Sequence, residues 1–191
     1  MRPILFAAAL VAAMPALAAP LDDMLAYPFA SELVATPDGR RIAWVREVKG
    51  VRNILVADAG GTPVSVTGFA EDDGQELTQL RFSPDGKSLW FVRGGDHDGN
   101  WPAAGNLAPN PTGNAAEPKV TIWRADAARA AAAVTEGDAP AIASTGRLAY
   151  LKDGQVWTTD ADGKNARRLF FDRGKAGRLV WSPDGSRLAF V

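Results

Sequence analysis

Ser83-Pro84-Asp85-Gly86-Lys87-Ser88-Leu89-Trp90-Phe91-Val92 joins a polar turn to an unbroken apolar run. The same phrase stands at Thr36-Pro37-Asp38-Gly39-Arg40-Arg41-Ile42-Ala43-Trp44-Val45 and again at Ser182-Pro183-Asp184-Gly185-Ser186-Arg187-Leu188-Ala189-Phe190-Val191. A hydroxyl residue, then proline, aspartate and glycine suits a type I β-turn. Proline pre-sets φ, the hydroxyl accepts a local backbone bond, and glycine is favoured at the exit. Leu89 to Val92 is apolar without alternation, so it reads as a strand covered on both faces. Inner strands of a β-propeller meet that condition, because each blade is packed between two neighbours. A turn-plus-strand unit recurring every 40 to 50 residues or so is the signature of propeller blades.

Each phrase extends in both directions. A strand leads into the turn at Glu32–Ala35, Gln79–Phe82 and Arg178–Trp181. A third strand ends in aspartate at Asn53–Asp58, Val120–Asp126 and Gln155–Asp160, and a more polar fourth follows at Pro63–Thr67 and Ala166–Phe170. Four strands per unit, the last outermost, is blade anatomy. One copy is degenerate, since Ala143-Ser144-Thr145-Gly146 lacks the Pro-Asp pair but keeps the strand after it. Between residues 93 and 119, 13 of 27 positions are Gly, Pro or Asn, which marks an insertion loop. The expected fold is all-β, an incomplete propeller of about three and a half four-stranded antiparallel blades. Its organisation is a leader over 1–18, a lead-in segment over 19–31, and blades starting near 32, 79, 141 and 178. Leu21 to Leu25 suggests a helical turn that Pro28 stops. The last phrase breaks off inside a strand, so the chain is expected to be the front part of a larger protein, with Leu188 to Val191 an unpaired apolar edge.

Met1-Arg2, the apolar run Ile4 to Ala13 and Pro15-Ala16-Leu17-Ala18 have the order of a secretory leader, with Ala16 and Ala18 at the small-residue positions and cleavage after Ala18. The run is too short to span a bilayer, which takes about 20 residues, so no membrane span is expected after processing. With no cysteine, neither a disulfide framework nor lipid attachment at a processed cysteine is possible. A net charge of −1 argues against nucleic acid as a partner. The densest basic stretch, Lys164 to Arg178, is interrupted by Asp172 and three apolar residues.

The Pro-Asp-Gly repeats, a leader followed almost at once by the first blade, and several linking phrases together resemble the exported bacterial serine peptidases of the prolyl oligopeptidase and dipeptidyl aminopeptidase family. Those phrases are Gly74-Gln75-Glu76-Leu77, Gly95-Asp96-His97-Asp98, Glu117-Pro118-Lys119-Val120 and Leu169-Phe170-Phe171-Asp172. The resemblance runs from Leu21 to Val191. It implies a propeller that filters peptide substrates above an α/β-hydrolase domain, in the periplasm or outside the cell. In that family a serine sits on a Gly-x-Ser-x-Gly elbow, with Asp and His following. None of the seven serines here has glycine at both −2 and +2, and His97 is the single histidine. This chain therefore carries no catalytic triad, and no catalytic residue or cofactor is assigned. A non-enzymatic periplasmic propeller that binds protein partners, similar to TolB, is the alternative. A lone propeller enzyme such as a lactonase or a sugar lyase would need metal ligands in its channel, for which one histidine gives little support.

Three constellations deserve weighing. Asp96-His97-Asp98-Gly99-Asn100 opens like a calcium loop, but the bidentate glutamate required twelve residues in is Leu107. No metal site is assigned. Asp96, His97 and Asp98 remain weak candidates for lining a substrate cavity. Glu71, Asp72, Asp73 and Glu76 form an acidic cluster, yet no Glu-Glu pair of the kind that holds a substrate amine in dipeptidyl peptidases occurs. A solvated connection between blades suits it better. Trp44, Trp90, Trp123, Trp157 and Trp181 fall in strands at equivalent places in the repeats, which fits packing between blades. Trp101 lies in the loop.

Overall fold

The computed structural model describes residues 21–95, 119–126, 129–160 and 162–191. A five-residue helix, α1 (Leu21–Leu25), precedes β1 (Phe29–Ala35), β2 (Arg41–Val48), β3 (Val51–Asp58) and β4 (Val64–Ser65). A second set follows as β5 (Leu77–Phe82), β6 (Ser88–Arg93), β7 (Thr121–Asp126) and β8 (Arg129–Glu136). The third is β9 (Asp138–Ile142), β10 (Leu148–Lys152), β11 (Gln155–Thr159) and β12 (Arg167–Arg168), before the pair β13 (Val180–Trp181) and β14 (Leu188–Ala189). Each set is an antiparallel meander in chain order, so the fold is three four-stranded blades plus a two-stranded start of a fourth. The chain is an incomplete all-β propeller.

The apolar run after each turn is explained by where its two faces go. Leu89 and Phe91 pack with Ala43, Val45 and Ile54 of the first blade. Trp90 and Val92, one residue out of phase, pack with Leu148 and Tyr150 of the third. Successive side chains alternate faces along a strand, and here each face belongs to a different seam. A third seam joins Ala141, Ala149 and Val156 to Ala176 and Leu179. The cores therefore lie between the sheets, and no blade has a core of its own.

Four details differ from the sequence-based expectation. The fourth strands β4 and β12 span only two residues, beyond which single backbone bonds from Val66 N to Ile54 O and from Leu169 N to Val156 O are joined by side-chain bonds in the first blade. Thr67 Oγ1 accepts a bond from Ile54 N at 2.8 Å, and Asn53 Oδ1 one from Phe69 N at 2.9 Å. The second blade gains β8 in the alanine-rich stretch 129–136, to which residue type alone assigns no strand. Pairing with β7 overrides alanine's poor strand preference. Trp44 and Trp90 are not equivalent. Counted from their turns, Trp44 matches Phe91, whereas Trp90 stands where the other blades have Ala43, Ala149 and Ala189. Finally, the last residues pair on one side, where Val191 and Gly177 exchange two backbone bonds, and Phe170 stacks on Phe190 at 4.6 Å.

The first blade shows what a seam position looks like without a neighbour. Leu33 and Ile42 are 70% and 39% exposed, while their counterparts Leu80 and Leu89 are each 3% exposed. Residues 19–191 expressed alone should therefore self-associate or be partly molten, and Leu33→Lys should raise the monomer fraction in light scattering. A monodisperse wild-type monomer with a sharp thermal transition would contradict this. Phe91→Ala, at a fully buried position, should cost about 3–5 kcal/mol in denaturant unfolding, whereas Val64→Ala on the exposed fourth strand should be close to neutral.

Candidate functional site

The intact turns share one network. In the first, Thr36 Oγ1 donates to Asp38 Oδ1 at 2.7 Å and accepts from Arg41 N at 3.1 Å, while Asp38 Oδ1 accepts from Arg40 N at 3.1 Å. Gly39, at φ 68°, closes the turn through its N–H to Thr36 O at 2.8 Å. Ser83 with Asp85 and Ser182 with Asp184 repeat this, the hydroxyls donating at 2.6 Å in both. The degenerate turn keeps only the backbone part, with Ala143 N bonded to Arg147 O and Gly146 N to Ala143 O, both at 2.9 Å. It is one residue shorter between its paired ends.

Consecutive turns stand side by side and enclose clefts. The first, about 360 Å³, is lined by Asp38, Arg40, Arg41, Asp58, Pro84 and Asp85 among others. The second, about 250 Å³, is lined by Ser83, Trp90, Arg124 and Ser144 among others. A third, about 170 Å³, involves Phe29, Glu32, Glu47, Arg52 and Leu77 between the first two blades. Their charges are compensated. Asp58 takes a two-pronged contact from Arg41 at 2.7 and 3.3 Å, and Arg124 pairs with Asp126 at 3.1 Å.

Hydrogen bonds hold the turn carboxylates below their usual range. Thr36 does so for Asp38 and Ser83 for Asp85, the Arg41 contact does so for Asp58, and Ser182 with Ser186 lowers Asp184 to about 2. A general acid or base needs a pKa near the working pH, so these groups are fixed acceptors rather than proton carriers. Their hydroxyl partners are likewise engaged as turn struts.

The acidic cluster divides. Asp72 lies 3.6 Å from Arg52 and Asp73 pairs with Arg93, whose guanidinium also covers the Phe69 ring at 4.3 Å. Glu71 is exposed. For Asp72 and Asp73 these are ties between strands and connection, whereas Glu76 lines the third cleft with Glu32 and Glu47. Asp96, His97, Asp98 and Trp101 lie outside the described residues, as do the leader and its Ala16 and Ala18. Among the described residues no three histidine or acidic side chains converge as a metal site would require.

One recurring feature carries no mark in the sequence. Glu32, Gln79, Ala139 and Arg178 all have φ between 46° and 57°, and each stands four residues before the first residue of its turn. Glycine would announce such a position, but these four side chains share no chemistry.

No protein-family model matches the chain, and no curated protein matches it. Among solved structures, it is similar to TolB from Acinetobacter baumannii, with 22% identity and a TM-score of 0.54 over 85% of this chain and 37% of that one. An oligogalacturonate lyase in complex with manganese matches with 16% identity and a TM-score of 0.55, over 83% of this chain and 45% of that one. A prolyl endopeptidase matches with 13% identity and a TM-score of 0.55, over 88% and 27%. The chain thus spans less than half the length of each. What they share with it is the propeller fold. Among the described residues no helix is long and apolar enough to cross a membrane.

The lowered pKa of Asp184 has a direct consequence for stability. A carboxylate whose folded pKa lies below its free value of 3.8 contributes stability that is complete above that value. That contribution is lost as pH falls toward about 2. The Asp184 titration followed by NMR should have its midpoint near 2, and Asp184→Asn should remove the corresponding part of the acid-induced fall in melting temperature. A midpoint at the free value would show the turn network to be open in solution.

Proposed function

We propose that these blades belong to the substrate-gating propeller of an exported serine peptidase of the prolyl oligopeptidase type. In this reading the hydrolytic machinery lies in another part of the parent protein, and the molecule acts in the periplasm or outside the cell. The observation that carries the reading is the set of linking phrases attached to Pro-Asp-Gly blades. Gln75 is buried at the start of the second blade, and Leu169 and Phe170 pack into the third seam, so the two phrases Gly74–Leu77 and Leu169–Asp172 sit at joints between blades. The chemistry of the clefts agrees with a non-catalytic role for this part, because their hydroxyls and carboxylates are committed to turns and ion pairs. The ring would admit short or unfolded peptides and exclude folded proteins by size. Peptides would reach the reacting atoms only in the parent.

Reading the gene past codon 191 is the first test. Further Pro-Asp-Gly blades leading into Gly-x-Ser-x-Gly, with Asp and His beyond, are expected. A fluorophosphonate probe should then label the parent at that serine and leave residues 19–191 unlabelled. An open reading frame that ends after a few more blades, without the elbow, would replace this reading with that of a TolB-like propeller binding protein partners.

A further inference from the structure

Seven aspartates in the chain are followed by glycine; six of these pairs lie within the described residues, and Asp98-Gly99 lies outside them. Asp-Gly is the pair in which a backbone amide most readily attacks the side-chain carboxyl before it, because glycine puts no side chain in the way. In five of the six, both partners of that attack are already bonded. The N–H groups of Gly39, Gly86, Gly163 and Gly185 donate to the carbonyls of Thr36, Ser83, Asp160 and Ser182 at 2.8–3.0 Å, and that of Gly74 to Asp72 Oδ1 at 3.2 Å. In Asp38, Asp73, Asp85, Asp162 and Asp184, Oδ1 accepts from the N–H two residues on at 3.0–3.1 Å. The side chain thus mimics a backbone turn, and the same bonds hold its carboxyl away from the glycine nitrogen.

Asp153-Gly154 is the exception. It forms the two-residue tip between β10 and β11, where Lys152 pairs with Gln155 and φ is 53° and 70°. Two positive φ angles in a two-residue hairpin make a type I′ turn. Among the described residues neither the Asp153 carboxylate nor the Gly154 N–H has a hydrogen-bond partner, and Asp153 is exposed. Neither end of the attack therefore has a bond to break first. The other side of the tip is tied down. Gly154 O accepts from Ala176 N at 3.0 Å, and a Cβ built on Gly154 would lie 3.0 Å from Lys175 Cγ. The tip is thus an anchor for the connection that leaves the third blade.

We propose that Asp153-Gly154 is a site of spontaneous isoaspartate formation in the folded protein. Gly154 N attacks Asp153 Cγ, and the amide proton leaves with the hydroxyl of the protonated carboxyl as water. Solvent water then opens the five-membered imide at the Asp153 main-chain carbonyl, breaking its bond to Gly154 N. The backbone afterwards runs through Cβ and Cγ, the old carbonyl carbon carries the carboxylate, and neither mass nor oxidation state has changed. The added backbone carbon displaces the Gly154 carbonyl from Ala176. A hydrogen bond that must open first slows ring closure on the order of fivefold, so the two held by each other pair slow it roughly 25-fold. The test uses the protein as its gene encodes it, not residues 19–191 alone. It is kept at neutral pH for weeks and digested, and each Asp-Gly peptide is probed with an isoaspartyl methyltransferase and radiolabelled S-adenosylmethionine. Asp153 should gain label roughly 25-fold faster than the five turn aspartates, whereas in concentrated urea all six should label alike. Asp153→Glu, which would have to close a six-membered ring, should lose the label and keep the wild-type circular dichroism. Native labelling of Asp153 no faster than at the other five would overturn the proposal, whether all six are slow or all match the urea rate. Label persisting at this site in Asp153→Glu would overturn it too.

Discussion

Everything in this molecule depends on the fact that a blade cannot bury its own apolar side chains. A single twisted antiparallel sheet has two faces, and in the second strand of each blade both are apolar. Phe91 finds cover in one direction and Trp90 in the other. Stability is thus a property of neighbouring pairs, as in other repeat architectures. The turns serve this arrangement from the rim. By satisfying their backbone groups internally, through hydroxyl, carboxylate and glycine, they let consecutive blades approach with compensated charge between them.

Much of the architecture is legible in the sequence. The turn phrase has a distinct physical reason at each position, and an apolar run without alternation implies two covered faces. Those two facts suffice for an all-β propeller of four-stranded antiparallel blades. The misreadings have causes. The alanines of β8 carry no strand signal of their own and are recruited by β7. Trp44 and Trp90 look alike by residue type, but a one-residue offset sends them to opposite faces. The last residues, expected as an unpaired edge, are paired on one side, Leu188–Ala189 with Val180–Trp181 and Val191 with Gly177.

The candidate site was legible in part. Ser/Thr and Asp in the turns can be recognised as a hydrogen-bonded unit, and the structure gives that unit a supporting role. Asp72 and Asp73 of the acidic cluster invite a ligand until Arg52 and Arg93, distant in sequence, prove to be their partners. The left-handed bulges could not be foreseen at all. A glutamate, a glutamine, an alanine and an arginine adopt one backbone conformation where the first strand of each blade slips by one residue against the second, and of these Glu32 accepts from Leu80 N and Gln79 donates to Asp138 in the next blade.

Trp90 has an effect beyond its own seam. In an array of stacked sheets, the thickness of the filling between two sheets sets the angle between them, and the angles add up to the curvature of the whole. Alanine occupies this register in the first, third and fourth blades and an indole in the second. The arc is therefore built from unlike wedges, and its bend is a sum of individual angles rather than a multiple of one. Its blades are not interchangeable bricks. Splicing a second copy of residues 77–136 beside the first would conserve every strand and every turn, yet lay out a ring of different pitch.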